Sequence, residues 1–270
     1  MFGAIIGDIV GSAYEFYSTK DKEFTLFSDY SRFTDDSVMT VAVASALLRH
    51  KESNVDLHQA MVQEMQYFGR KYPNAGYGGM FRRWLMKRHP EPYNSFGNGS
   101  AMRVSPCGLI AGSLEEALEL AKASAEVTHN HPEGIKGAQA AAAAVFLAKT
   151  GADKEKIRRY ICDHFYDLSK TLDEIRPEYR FDVTCQGSVP EAITAFLEST
   201  GYEDTIRNAV SLGGDSDTQA AIAGGIAWAY YGRDDLQPDM IALREQIRLP
   251  EAFMEIIDEF ELYLEKHELK

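Results

Sequence analysis

Apolar positions recur at three- and four-residue intervals along almost the whole chain, as in Val38, Met39, Val41, Ala42, Ala44, Leu47 and Leu48. That is the period of a helix with one buried face. No Asn-Gly or Asp-Gly pair joins two alternating apolar and polar runs, so the hairpin signature is missing. The pattern predicts an all-α fold. Its helices are expected over roughly residues 35–50, 56–72, 114–128, 133–149, 153–168, 188–199, 202–212, 216–231 and 251–266, with ends defined to within about 2–4 residues. Residues 137–144 and 220–227 are rich in alanine and glycine on more than one face, which suits helices buried centrally where backbones approach closely. Residues 171–188 are the least periodic and read as a long excursion. No Pro/Ser/Gly-rich linker and no repeat of roughly 20–50 residues divides the chain, so one compact domain over residues 1–270 is expected.

Composition narrows the function classes. A 270-residue chain that is 45% hydrophobic can bury a sizeable core without disulfide staples. Its 28 Lys and Arg stand against 41 Asp and Glu, a formal net charge of −13, which disfavours general nucleic-acid binding through a basic face. A phosphorylated small molecule is still admissible, because backbone N–H groups at helix starts hold phosphate without lysine. The three cysteines, Cys107, Cys162 and Cys185, form no C-x-x-C pair, which argues for reduced thiols and against thiolate zinc. The first residues carry no basic segment ahead of the apolar stretch and include Asp8, so no secretory signal is expected. No uncharged run approaches the ~20 residues of a membrane span, and a soluble, cytoplasmic protein is the expectation. Seven acids and two lysines lie in residues 251–270, where the apolar positions keep helical spacing; an amphipathic closing helix with a solvated acidic face accounts for them.

Other acids are harder to dismiss. Thr34-Asp35-Asp36-Ser37 stands directly ahead of a long apolar-periodic helix, where a Thr or Asp oxygen caps the first N–H groups. One acid satisfies that role, and two carboxylates plus a hydroxyl concentrate more oxygen than capping needs unless a cation is present. Gly213-Gly214-Asp215-Ser216-Asp217-Thr218 repeats the chemistry at a second loop-to-helix transition, 180 residues after Asp35. If the fold brings the two starts together, four carboxylates and two hydroxyls face one another, repulsive without metal and matched to hard divalent cations.

Two further segments look suited to a ligand. Gly7 and Gly11 are four apart with Glu15 beyond them, a pattern equally compatible with a tightly packed glycine-containing helix. Ser95-Phe96-Gly97-Asn98-Gly99-Ser100-Ala101-Met102-Arg103 reads as a flexible polar turn entering a helix, with N–H groups to offer a phosphate. The string Thr128-His129-Asn130-His131 lacks the surroundings of an HNH nuclease or a zinc pair, and a single histidine is more often structural than functional.

Taken in order, Gly7-Asp8-x-x-Gly11-x-x-x-Glu15, Thr34-Asp35-Asp36-Ser37, the residue 97–103 turn, Thr128-His129 and Gly213-Gly214-Asp215-x-Asp217-Thr218 resemble the ADP-ribosylglycohydrolase family. That family includes the dinitrogenase reductase-activating glycohydrolases, and the resemblance runs from residue 3 to about residue 232. It implies an all-α domain with a binuclear cleft holding two divalent cations, Mg²⁺ or Mn²⁺, and hydrolysis at C1″ of ADP-ribose. Carried over, Thr34, Asp35, Asp36, Asp215, Asp217 and Thr218 hold metal, and Glu15, Asp35 and Asp36 are catalytic. Asn98, Gly99, Ser100 and His129 bind substrate, an ADP-ribosylated protein or an ADP-ribose-containing small molecule. Ser37 stands where threonine is common in the family. Two other readings fit the same residues: a metal-dependent hydrolase of another ribosyl substrate such as a nucleoside, and a module that binds ADP-ribose without turning it over.

Overall fold

A computed structural model describes residues 1–233 and 235–267. Among these residues the secondary structure is helical throughout: α1 (Phe2–Gly11), α2 (Asp35–Ser53), α3 (Leu57–Lys71), α4 (Gly79–Leu85), α5 (Ser105–Ile110), α6 (Leu114–Glu126), α7 (Pro132–Lys149), α8 (Lys154–His164), α9 (Leu172–Ile175), α10 (Cys185–Leu197), α11 (Tyr202–Val210), α12 (Ser216–Tyr231), α13 (Pro238–Gln246) and α14 (Glu251–Lys266). A single 3₁₀ turn spans Asn98–Ser100. The all-α expectation holds, and each of the nine expected helices is present with its ends shifted by a few residues. The five others are short, except α1, whose ten residues are all buried. Its start carries no capping side chain and no acid in the first turn, so no start signal marks it.

α1 and α12 lie against each other at the centre of the molecule. Gly3, Gly7 and Gly11 form a smooth strip along α1, and a Cβ on Gly7 or Gly11 would fall on the backbone of Ala220 or of Ser216 and Asp217. That contact settles the ambiguity of the Gly7/Gly11 spacing in favour of a tightly packed helix. It also joins the end of α1 to the start of α12, two places 205 residues apart that meet through Ser216 Oγ donating to the Gly11 carbonyl. α7, whose Ala140 to Ala144 are all buried, packs against α5, α6, α10 and α12.

Residues 171–184 form a strap rather than a free excursion. Thr171 and Glu174 close a capping box around α9. The chain then runs extended, and an antiparallel bridge between Gly97 and Thr184 fastens it to the residue 95–98 turn. The Asn98 N–H donates to Val183 O at 2.8 Å and the Cys185 N–H to Phe96 O at 2.9 Å. At the other end of the chain, Phe253, Ile257 and Phe260 of α14 are buried against α2, with Phe253 among Phe33, Phe68 and Tyr72, while Glu255, Asp258 and Glu259 are exposed. The last three residues of the expected acidic segment lie outside the described ones. Among the described residues no helix is long and apolar enough to cross a membrane, and the three cysteines are free.

Candidate functional site: two helix starts over an acidic cleft

The site is assembled on Asp8, a residue of α1 whose side chain is wholly buried. Its Oδ1 accepts from Thr34 Oγ1 at 2.6 Å; its Oδ2 accepts from the Thr34 N–H at 2.8 Å, the Ser37 N–H at 3.0 Å and the Ser37 hydroxyl. Four donors nearly saturate one carboxylate, so Asp8 acts as a brace that holds the Thr34-Asp35-Asp36-Ser37 turn in place. Thr34 also caps α2, accepting from the Asp36 N–H at 3.3 Å. Ser37, which stands where threonine is common in the family, is one of the brace's two partners.

Capping does not explain the second helix start. Asp215 occupies the N-cap of α12 yet makes no capping hydrogen bond. Its Oδ2 turns away and accepts from Asn98 Nδ2 at 2.7 Å, which ties the residue 97–100 turn to the acidic cluster. Gly213 precedes it at φ +66, where a side chain would strain the turn.

Because α1 delivers both ends, carboxylate oxygens converge. One oxygen each from Asp8, Asp36 and Asp217 lie within 4.8 Å of one another, and so do one each from Glu15, Asp215 and Asp217. Asp217 belongs to both groups. Asp36 Oδ1 is buried with no hydrogen-bond partner, and among the described residues none of these acids forms an ion pair with Lys or Arg. Burial pushes the carboxyls of Asp35, Asp36 and Asp217 well above the usual range, and the neighbouring acids add to the push. Asp215 rises to about 6, chiefly through burial and against the Asn98 hydrogen bond. Glu15, half-buried, rises to about 7 by burial and the nearby Asp217, against the pull of Arg32. An all-oxygen donor set with an orphaned buried oxygen fits a hard divalent cation.

Glu15, Asp35, Asp36, Asp215 and Asp217 line a cavity of about 740 Å³. Asn98, Gly99 and His129 line its wall, and Thr218 faces it beside Asp217. Ser100 does not line it: the hydroxyl is fully buried and donates to Gly134 O at 2.7 Å, so it anchors the turn from behind. Asp35 is held by its own N–H, which donates to Ala75 O at 2.8 Å. The glycine-rich stretch of Gly76, Gly78 and Gly79 lines the same cavity, and Gly76 at φ +114 brings its backbone against Asp35 Oδ1. Sequence reasoning missed this stretch, although three glycines in four residues ahead of a helix were a visible signal. It missed Asp8 as well, quoted only as part of a motif.

The fold and the site define a class: an all-helical protein with an acidic cleft built at paired helix starts. Comparison with known proteins supplies the rest. The ADP-ribosylglycohydrolase family model matches residues 1–268, and the chain belongs to that family. The chain is 28% identical to human ADP-ribosylhydrolase ARH3 over 87% of its own length and 85% of that protein. It is 26% identical to the ADP-ribosylarginine hydrolase Tri1 of Pseudomonas putida (strain GB-1), over 89% of this chain and 72% of that one. A solved structure titled ADP-ribosylglycohydrolase-related protein complex shares the fold, with a TM-score of 0.71 and 22% identity over 97% of this chain and 95% of that one.

Proposed function

We propose that this chain is a divalent-cation-dependent hydrolase that cleaves the bond at C1″ of ADP-ribose, releasing ADP-ribose from a modified protein side chain or a small molecule. The observation that carries the reading is the meeting of Glu15, Asp36, Asp215 and Asp217 in the lining of the cavity, with Asp36 Oδ1 buried and unpartnered. The names of the relatives, ADP-ribosylhydrolase and ADP-ribosylarginine hydrolase, support the substrate class and do not favour a nucleoside hydrolase or a non-catalytic binding module. The three free cysteines are consistent with a cytoplasmic setting.

Two ions, Mg²⁺ or Mn²⁺, would be held by Thr34, Asp35 and Asp36 from one helix start and by Asp215, Asp217 and Thr218 from the other. When bound they supply the positive charge that the carboxylates lack and acidify water in the cleft. The chain's own groups do the rest. As the leaving group departs, C1″ gains oxocarbenium character, and a carboxylate beside it stabilises that charge. Glu15, whose carboxylate lies within 4.8 Å of those of Asp215 and Asp217, takes a proton from the attacking water. Asp35 and Asp36 orient that water. Asn98, Gly99 and His129 hold the diphosphate and the adjoining ribose, while Ser100 keeps the turn in register.

The test is a hydrolysis panel over ADP-ribose linked to arginine, serine, acetate and a nucleobase, with nucleosides as controls, run in Mg²⁺, Mn²⁺ or EDTA. Release of ADP-ribose from at least one linkage, lost in EDTA, is the expected result. Turnover of nucleosides alone, or of nothing while ADP-ribose binds, would overturn the reading in favour of one of the two rivals.

A further inference from the structure

Arg103 is buried to 1% exposure, and among the described residues it has no carboxylate partner. Its Nη2 donates to Ser124 O at 2.6 Å and to Thr128 Oγ1 at 2.9 Å, and its Nε to Ser124 Oγ at 3.3 Å. Thr128, also fully buried, lies 2.7 Å from His129 Nδ1 through the same hydroxyl. A threonine hydroxyl has one hydrogen to give. Here the oxygen already accepts from Arg103, and among the described residues its hydrogen has one acceptor in reach, His129 Nδ1. Were Nδ1 protonated instead, two donors would converge on Oγ1 and the hydroxyl hydrogen would be buried without an acceptor, a loss of about tenfold or more in population.

We infer that Arg103 and Thr128 are positioning residues that hold His129 as the Nε2–H tautomer, a neutral hydrogen-bond donor aimed at an anionic oxygen of the ligand beside the residue 97–99 turn. The other end of the ring supports this. Among the described residues Nε2 makes no hydrogen bond, His129 is 5% exposed and lines the cavity, and the nearest atom to a Cβ built on Gly99 would be this Nε2, at 3.3 Å. An N–H that faces a cavity without a partner is completed by an acceptor from outside the chain. Position 99 carries no side chain to block one. Tyr93 packs at the side of the ring, with ring centroids 5.8 Å apart, and Arg103 stands behind Thr128. Burial and the Arg103 charge both oppose a second proton on His129, so the donor stays neutral. A buried, unpaired guanidinium two side chains away adds positive potential that favours an anion at that spot.

The choice of phosphate oxygen as acceptor rests on the proposed function; the tautomer does not. The test separates them. Two-bond ¹⁵N–¹H imidazole spectra of the full chain, with the His129 signals identified by their loss in His129→Gln, are expected to show protonated Nε2 and bare Nδ1 from pH 5.5 to 8. Thr128→Val is expected to mix the tautomers and to weaken ADP-ribose binding about tenfold by calorimetry, with Thr128→Ser restoring both. His129→Gln, whose amide N–H₂ lies near the Nε2 position, is expected to bind more tightly than His129→Ala. A wild-type spectrum with protonated Nδ1, or an unchanged tautomer in folded Thr128→Val, would overturn the inference. If Thr128→Val does not fold, the wild-type spectrum and the Gln/Ala pair decide. Absence of ADP-ribose binding by wild type with the Nε2–H spectrum intact counts against the proposed substrate alone.

Discussion

Two regions of this molecule are rich in acid, and they have almost nothing else in common. On α14, Glu255, Asp258 and Glu259 stand in solvent on the back of a helix whose Phe253, Ile257 and Phe260 are buried, so water screens their charge. In the cleft, Asp8, Asp36, Asp215 and Asp217 are buried; oxygens of Asp8, Asp36 and Asp217 lie within 4.8 Å of one another, and Asp217 is as close to Asp215. Formal charge does not distinguish the two sets. What differs is dielectric: burial alone drives the cleft carboxyls toward protonation, and proximity adds to it. The solvated set keeps a helix soluble. The buried set is an arrangement that folding tolerates only with compensation, from hydrogen bonds at Asp8 and from protons or cations elsewhere.

The sharpest way to break the contrast is to remove cleft acids. Asp36→Ala and Asp217→Ala are expected to lower hydrolysis of ADP-ribose substrates by about a thousandfold or more, since a site that loses a metal ligand forfeits several kcal/mol of transition-state stabilisation. Near-wild-type turnover in either variant would sink the assignment. Next comes the scaffold beneath them. Gly7→Ala places a methyl group on the Ala220 carbonyl, and the expected cost is about 3 kcal/mol, larger than the roughly 1 kcal/mol that alanine gains over glycine in a helix. Chemical denaturation measures it, and an unchanged or raised midpoint would contradict the close approach of α1 and α12.

The third effect is a pH dependence with a definite sign. In the metal-free protein Glu15 and Asp215 are raised to about 7 and about 6, above the unfolded values near 4. The native state therefore binds more protons than the unfolded one between about pH 4 and 7, and stability falls as pH rises through that window. Melting in EDTA is expected to be higher at pH 5 than at pH 8. Added Mn²⁺ should raise Tm most at pH 8, where the carboxylates are ionised. A metal-induced shift that grows as pH falls would reverse the sign and refute the account. The smallest effect belongs to α14: Glu255→Gln or Glu259→Gln should leave stability within about 0.5 kcal/mol and leave the response to Mn²⁺ unaltered.

The legible parts of the sequence were those with a local physical signature. Amphipathic period revealed α3, α6, α8, α11 and α14, and Thr34 marks the start of α2 that it caps. Doubled acids at two helix starts exposed the cleft, because capping needs one oxygen and each cluster offers more. α1 escaped because no capping side chain and no acid in its first turn mark its start, and its glycines are poor helix formers; Asp8 escaped with it. Its role depends on Thr34 and Ser37, more than twenty residues away, and no local spacing encodes that partnership. Ser100 was misplaced for a related reason. In a glycine-rich turn each residue is equally free to face ligand or core, and Gly134 O claimed this hydroxyl for the core.

By itself, then, the sequence determined an all-helical chain and its two oxygen-rich helix starts, since both follow from residue type and short-range spacing, and its motifs carried the family resemblance. Tertiary structure alone decided that the helix starts meet, that Asp8 braces one of them, that Asp215 binds Asn98 instead of capping, and that Arg103 and Thr128 stand behind His129. Those outcomes depend on backbones that touch only because Gly7 and Gly11 leave room for α12, a contact between residues some 210 positions apart. Close approach is a property of two surfaces, and one strip of sequence describes only one of them.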